Sequence, residues 1–174
     1  DLAITAQPVN VNECVGGTDQ MSVTVTGGSG TISYQWQSST SQAGPFTDIS
    51  GANSATFTPP STTPGVTYYQ VVVSATGSGC GSTTSTVASA TIIEDLAITA
   101  QPVNVNECIG GTNTMFVTVT GGSGTISYQW QSGTSQSGPF TNISGETSAT
   151  FTPPSTTAGV TYYQVVVSAT GSGC

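Results

Sequence analysis

The stretch TYYQVVVSATGSGC, residues 67–80, recurs letter for letter as residues 161–174, and its alternation decides the fold. Tyr69, Val71, Val73 and Ala75 fall on one side of an extended chain, and Gln70, Val72 and Ser74 fall on the other. Successive side chains of a strand point to opposite faces, so a period of two predicts a strand with one buried face. The Thr76-Gly77-Ser78-Gly79 run that follows has turn chemistry and ends it.

Outward from this strand the whole chain proves to be duplicated. DLAITAQPVNVNEC opens at Asp1 and again at Asp95, a period of 94 residues, and the 80 aligned positions carry only ten substitutions. Among these are Ser22 to Phe116, Asp19 to Asn113 and Pro64 to Ala158. A period this long is a whole domain copied, residues 1–94 and 95–174, and not a solenoid unit of roughly 20 to 50 residues.

Within one copy the chain reads as seven short strands. Leu2 to Val11 alternates loosely around Pro8, as an edge strand tolerates. After the Gly16-Gly17 turn, Met21 to Thr26 alternates strictly, with Met21, Val23 and Val25 on one face. The Gly27 to Gly30 turn leads into a strand carrying Ile32, Tyr34 and Trp36. Phe46 to Ile49 and the Ala55–Phe57 region predict short strands, Thr67 to Ala75 the strongest, and Ser85 to Ile93 the closing one. No helical period appears anywhere. The prediction is all-β: tandem immunoglobulin-like antiparallel β-sandwiches.

The predicted core holds Leu2, Ile4, Val23, Val25, Trp36, Phe57, Tyr69, Val71 and Val73, with Trp130 and Tyr163 as the second-copy counterparts of Trp36 and Tyr69. Trp36 occupies the place of the central core Trp of such a sandwich, and a ligand platform is its rival role. Tyr69 opens the penultimate strand at the position of a tyrosine corner, where the hydroxyl bonds backbone.

YQWQ (residues 34–37), TDISGANSATFT (residues 47–58) and YYQVVVSATGSGC (residues 68–80) together resemble the immunoglobulin-like repeats of very large secreted proteins of Bacteroidetes-type bacteria. The resemblance covers both copies nearly end to end. It implies a surface adhesin, gliding-type filament or stalk, exported by a dedicated route, and it leaves room for a module accessory to a secreted enzyme.

Composition narrows the partners. The chain has no Lys, Arg or His, and its eight acidic residues give a net charge of −8. Without cations it cannot neutralise phosphates, which argues against nucleic acid, and it has no attraction for anionic lipid heads. Ser and Thr make up about a third of the residues, yet regularly spaced Val, Ile and Thr mark a folded β protein and not a disordered one. No run approaches the roughly 18 apolar residues of a membrane span, so membrane insertion is not expected. Nothing reads as a signal peptide, which predicts a mature segment or a fragment.

Four cysteines at matching positions, Cys14, Cys80, Cys108 and Cys174, predict disulfides and an oxidising, extracellular setting. Metal binding is the weaker alternative, since there is no CxxC and no His. An antibody-type bridge is absent, because its inward positions are Val25 and Val71. Cys14 precedes the first turn and Cys80 lies in the last, at opposite poles of the sandwich. A strand of about eight residues separates the poles by roughly 25 Å, whereas bridged Cα atoms lie within about 7 Å. Stacked copies favour Cys14–Cys174 between domains, leaving Cys80 and Cys108 for neighbouring repeats. The pairs Cys14–Cys80 and Cys108–Cys174 within each copy stay open. The second copy also has no counterpart of Gly81 to Glu94, which predicts an exposed sheet edge filled by continuing chain or by a donated strand.

Catalytic chemistry finds little to work with. No serine has a base, no Lys or Arg is present, and an isopeptide crosslink lacks its Lys. The acids are scattered through turns, and Asp19 and Asp48 become Asn113 and Asn142 in the second copy, against a repeated carboxylate pair. No catalytic, cofactor or metal residue is therefore predicted. Glu13, Glu94 and Asp95 are the acids a junction Ca²⁺ would draw on, with solvated acids as the plainer account. Asn142-Ile143-Ser144 is a sequon absent from the first copy, and the Ser/Thr surface permits O-linked sugars.

The expected function is a structural repeat of an extracellular bacterial filament, stalk or adhesin, a disulfide-stiffened spacer whose partners are further copies of itself. The main alternative is a carbohydrate-binding module meeting surface glycans through Tyr34, Tyr68 or Phe46, which requires those rings to be exposed and coplanar. Phe116 in place of Ser22 suggests a contact surface that differs between copies. An ice-binding array would want a regular Thr face, and the Thr spacing here is irregular.

Overall fold

Alternating runs bounded by Gly, Pro and Asn give ten strands among the described residues of the first copy. They are β1 (Ala3–Ala6), β2 (Val11–Cys14), β3 (Met21–Ser22), β4 (Thr24–Thr26) and β5 (Ile32–Ser39), then β6 (Thr47–Asp48), β7 (Thr56–Phe57), β8 (Gly65–Ala75), β9 (Ser82–Thr84) and β10 (Ala88–Ile93). The computed structural model describes residues 1–77, 81–172 and 174. These form two compact units, Asp1–Glu94 and Asp95–Ser172 with Cys174.

In the first unit β8 is the spine. It pairs antiparallel with β5 from Ser39↔Tyr68 to Ile32↔Ala75, and on its other side with β10 and then β9. The resulting layer runs β2-β10-β8-β5-β6, and the opposing layer is made of the pairs β1-β4 and β3-β7. Between them lie Val11, Met21, Val23, Trp36, Tyr69, Val71, Val73, Ala88 and Ala90. Leu2, Ile4, Val25 and Phe57 pack against that core while half-buried or partly open. Two sheets face to face around one buried Trp make an immunoglobulin-like β-sandwich.

Trp36 is fully buried, stacked on Phe57 at 5.4 Å between ring centres, and Phe57 meets Tyr69 at 5.2 Å. The indole N–H donates to the Ser54 carbonyl at 2.9 Å, so this burial leaves no orphan donor. Trp36 is thus a core residue and not a platform. Burial pushes the Tyr69 phenol above its ordinary value, partly offset by a hydrogen bond with the Thr67 side chain.

Several predicted strands break where a side chain or a neighbour intervenes. Leu2 to Val11 is two strands in opposite layers, β1 and β2, and Pro8 lies in the crossing, where its missing N–H costs no ladder bond. Met21 to Thr26 divides at Val23, whose N–H donates to the Ala55 carbonyl beyond β7. The closing strand divides at Ser85, whose hydroxyl accepts the Val71 N–H at 3.0 Å and donates to the Thr86 carbonyl at 2.9 Å. Phe46 to Ile49 is reduced to β6. The sandwich is also not wholly antiparallel, because β2 runs parallel to β10 from Val11↔Ala90 to Cys14↔Ile93.

The second unit holds β11 (Ala97–Ala100), β12 (Met115–Phe116), β13 (Thr118–Thr120), β14 (Ile126–Gly133), β15 (Thr141–Asn142), β16 (Thr150–Phe151) and β17 (Tyr162–Ala169). One layer pairs β11 with β13 and β12 with β16, and the other is β15-β14-β17. The aromatic stack persists: Trp130 is fully buried, 5.2 Å from Phe151, which lies 5.1 Å from Tyr163. Tyr163 itself is only half-buried, unlike Tyr69.

Candidate functional site: an open strand edge and the cysteines

Among the described residues β17 pairs with β14 alone, whereas β8 pairs with β5, β9 and β10. The consequences can be read residue by residue, because the sequences match. Val71 and Val73 are fully buried, whereas their counterparts Val165 and Val167 are half-buried. Val160 is 77% exposed where Val66, opposite Thr91, is 46% exposed. β17 begins at Tyr162, while β8 begins three residues earlier in the repeat at Gly65, in the part that only β10 pairs.

The segment QPVNVNEC shows the largest change. As residues 7–14 it ends in strand β2, and Val11 and Cys14 are buried. As residues 101–108 it has no strand, and Cys108 is exposed. Among the described residues, β10 is the only strand that β2 pairs with. Two side chains add to the grip: Asn10 accepts the Ser89 N–H and Gln7 accepts the Thr86 N–H, each at 2.9 Å. A strand with one parallel neighbour has no hydrogen-bond partners of its own once that neighbour is absent.

Glu13, at the end of this segment, is fully buried. Its Oε2 accepts the Asp19 N–H at 2.8 Å and so closes the Gly16-Gly17 turn, and a Cβ on Gly17 would collide with the carboxylate. Glu107 holds Asn113 in the same way at 2.9 Å, although it is half-buried. Glu13 is therefore committed to a loop clamp. Among the described residues no three His, Cys, Asp or Glu come together as a metal site.

Of the four predicted half-cystines, Cys14 and Cys174 are disulfide-bonded. Cys108 is free and exposed, so the pair Cys108–Cys174 is not formed. Cys80 lies outside the described residues. The Cys174 Sγ also sits 3.0 Å from the N–H of Ser123, in the turn that matches Gly27 to Gly30. Within the first unit, Ser82 pairs Ser74 at one end of β8, while Cys14 pairs Ile93 beyond its other end. Tyr34, Tyr68 and Phe46 are all half-buried, and Tyr34 packs against the core. Phe116 is the exposed ring, at 47%, on the outer side of β12. A shallow open depression lies between Ile49 and Thr58.

Each unit is an immunoglobulin-like β-sandwich, and the class is an all-β tandem of such domains. The chain belongs to the family described as a domain of unknown function, DUF8696, whose model matches residues 6–94 and 99–174. No curated protein matches it. Among solved structures it is similar to Sidekick-1 immunoglobulin domains 1-5, at 17% identity and a TM-score of 0.46, over 74% of this chain and 27% of that one. It is also similar to the fibronectin(III)-like modules of Clostridium thermocellum CbhA, at 12% identity and a TM-score of 0.34, over 96% and 85% of the two chains. Chicken CNTN1 FN1-FN3 domains align at 15% identity and a TM-score of 0.34, over 94% and 59%. The chain thus spans about a quarter of the length of the Sidekick-1 structure.

Proposed function

We propose that this chain is a structural repeat segment of an extracellular filament, stalk or adhesin, a non-catalytic spacer stiffened by a disulfide between successive domains. The observation that carries the proposal is the state of the cysteines: Cys14 and Cys174 are oxidised while Cys108 is a free thiol. That pattern supports Cys14–Cys174, a bond that would restrict bending between domains joined by Glu94-Asp95 with almost no linker. Supporting it further, the conspicuous aromatic residues are taken up by packing: Trp36, Phe57 and Tyr69 form one stack, Trp130, Phe151 and Tyr163 the other. A bacterial surface, with further repeats as partners, is the setting this reading implies.

The test is a non-reducing disulfide map by mass spectrometry of a chymotryptic digest, since trypsin has no site in the chain. A peptide joining Cys14 to Cys174 is expected. A peptide joining Cys14 to Cys80 would make each domain an autonomous bead and overturn the stiffened spacer.

A further inference from the structure

Both copies carry a row of side-chain hydrogen bonds across three strands, and the residue that ends the row differs between them. In the first unit the Gln70 Nε2 donates to the Gln37 Oε1, and the Gln37 Nε2 donates to the Asp48 Oδ1, each at 2.7 Å. In the second unit Gln164 donates to Gln131 at 2.6 Å, and Gln131 donates to the Asn142 Oδ1 at 2.7 Å. These residues are register partners on β8, β5 and β6, and on β17, β14 and β15. The row fixes which way the Asn142 amide points. Gln131 spends its oxygen on Gln164, so its NH₂ meets Asn142, and Asn142 must present oxygen. The Asn142 Nδ2 is therefore the end turned away from the row.

The surroundings leave that nitrogen accessible. Asn142 closes the two-residue strand β15, which pairs with β14 alone among the described residues. Ile143 is half-buried and ties the segment down: its N–H donates to the Trp130 carbonyl at 2.9 Å, and its carbonyl accepts the Gln129 Nε2 at 2.9 Å. Asn142 and Ser144 on either side of it are both exposed, and Gly145, with φ +82°, turns the chain away. Asn-x-Ser with x other than Pro is the acceptor tripeptide for N-linked sugar. No other Asn in the chain is followed two residues later by Ser or Thr.

We propose that Asn142 is an N-glycosylation site, whose donor is an oligosaccharide on a lipid diphosphate. The Asn142 Nδ2 attacks C1 of the first sugar, the C1–N bond forms as the C1–O bond to the diphosphate breaks, the lipid diphosphate leaves, and Nδ2 gives up one proton. The Oδ1 keeps its bond to Gln131, so the row survives the modification. A solvated bulky group at this point also serves the sheet. Charge on an edge strand hinders pairing with a further chain; β6 has Asp48 there, and β15 gives up that charge in Asn142. The inference needs only that the chain be exported, and it holds whether or not Cys14–Cys174 stiffens the tandem. A disulfide map and a glycan measurement therefore fail separately.

The experiment digests the mature protein, recovered from the cells that make it, with chymotrypsin. Cleavage after Phe140 and Phe151 releases residues 141–151, and cleavage after Phe46 and Phe57 releases 47–57, the first-copy counterpart with Asp48. Expected is a gain of whole sugar residues on 141–151, held at Asn142 in electron-transfer fragments, with 47–57 at its sequence mass. An unshifted 141–151 overturns the proposal. Sugar on Ser or Thr of both peptides overturns it too, since that is O-linked decoration. A second measurement exports the full chain from a host whose oligosaccharyltransferase acts on Asn-x-Ser/Thr. One glycan per chain is expected, lost in N142D and in S144A and kept in S144T. A bare chain from that host, or a glycan that survives N142D, refutes the site.

Discussion

Removing one hydroxyl at Ser85 should loosen the whole closing segment of the first unit. The Ser85 Oγ accepts the N–H of Val71, a residue with no exposed surface, at the point where the segment passes from β9 to β10. In S85A that N–H remains buried and loses its acceptor. Leaving a buried donor unsatisfied costs about 1–3 kcal/mol, which is a large part of the roughly 5–15 kcal/mol that holds a domain together. The Ser85 N–H to Val71 carbonyl bond at 3.0 Å survives, so the segment stays docked and the cost stays within that range. With a urea m value of about 1 kcal/mol/M, a loss of about 2 kcal/mol lowers the midpoint by about 2 M. The assay is urea unfolding followed by Trp fluorescence in a W130F background, where Trp36 reports on the first unit. T84A, at an exposed position one residue away, is the control and should shift the midpoint by less than about 0.5 M. A shift for S85A no larger than that of the control would show that the Val71 N–H is satisfied elsewhere, and the account of the break in the closing strand would fail.

Other substitutions probe the remaining parts. W36A removes the fully buried centre of the stack with Phe57 and should cost about 3–5 kcal/mol by denaturant unfolding. G17A drives a Cβ into the buried Glu13 side chain and should cost about 1–3 kcal/mol by denaturant unfolding, with only partial recovery in G17A/E13A, since alanine keeps the Glu13 Cβ at 2.8 Å and gives up the bond to the Asp19 N–H. High pH should destabilise the first unit through Tyr69. Its folded pKa lies above the ordinary 10.0 of a tyrosine because the ring is buried, so on raising the pH the unfolded chain gives up its proton first. Stability is then fully present below that value and falls as pH climbs towards the folded pKa. Y69F should flatten this alkaline limb of a melting-temperature profile, and an unchanged slope would exclude Tyr69 as its source.

Much of the site's frame was written in single residues. The alternation of Tyr69, Val71 and Val73 gave the spine strand, and Trp36 fell in the core because a large ring on the inner face of a central strand has nowhere else to go. The breaks were less legible. Val23 and Ser85 interrupt runs that alternate correctly, because their backbone or side-chain bonds go to Ala55 and Val71, residues distant in sequence. Cys108 illustrates the same limit: its local sequence equals that of Cys14, yet one thiol is free and exposed and the other is buried and oxidised.

The sequence by itself determined the duplication, the all-β class, the turns and the inner face of each strand, since these follow from composition and a local period of two. Only the tertiary structure decided what QPVNVNEC becomes. A parallel strand makes no bonds within itself, so its state is set by whether a partner some 80 positions further on lies beside it: a strand at residues 11–14, with β10 in place, and none at residues 105–108.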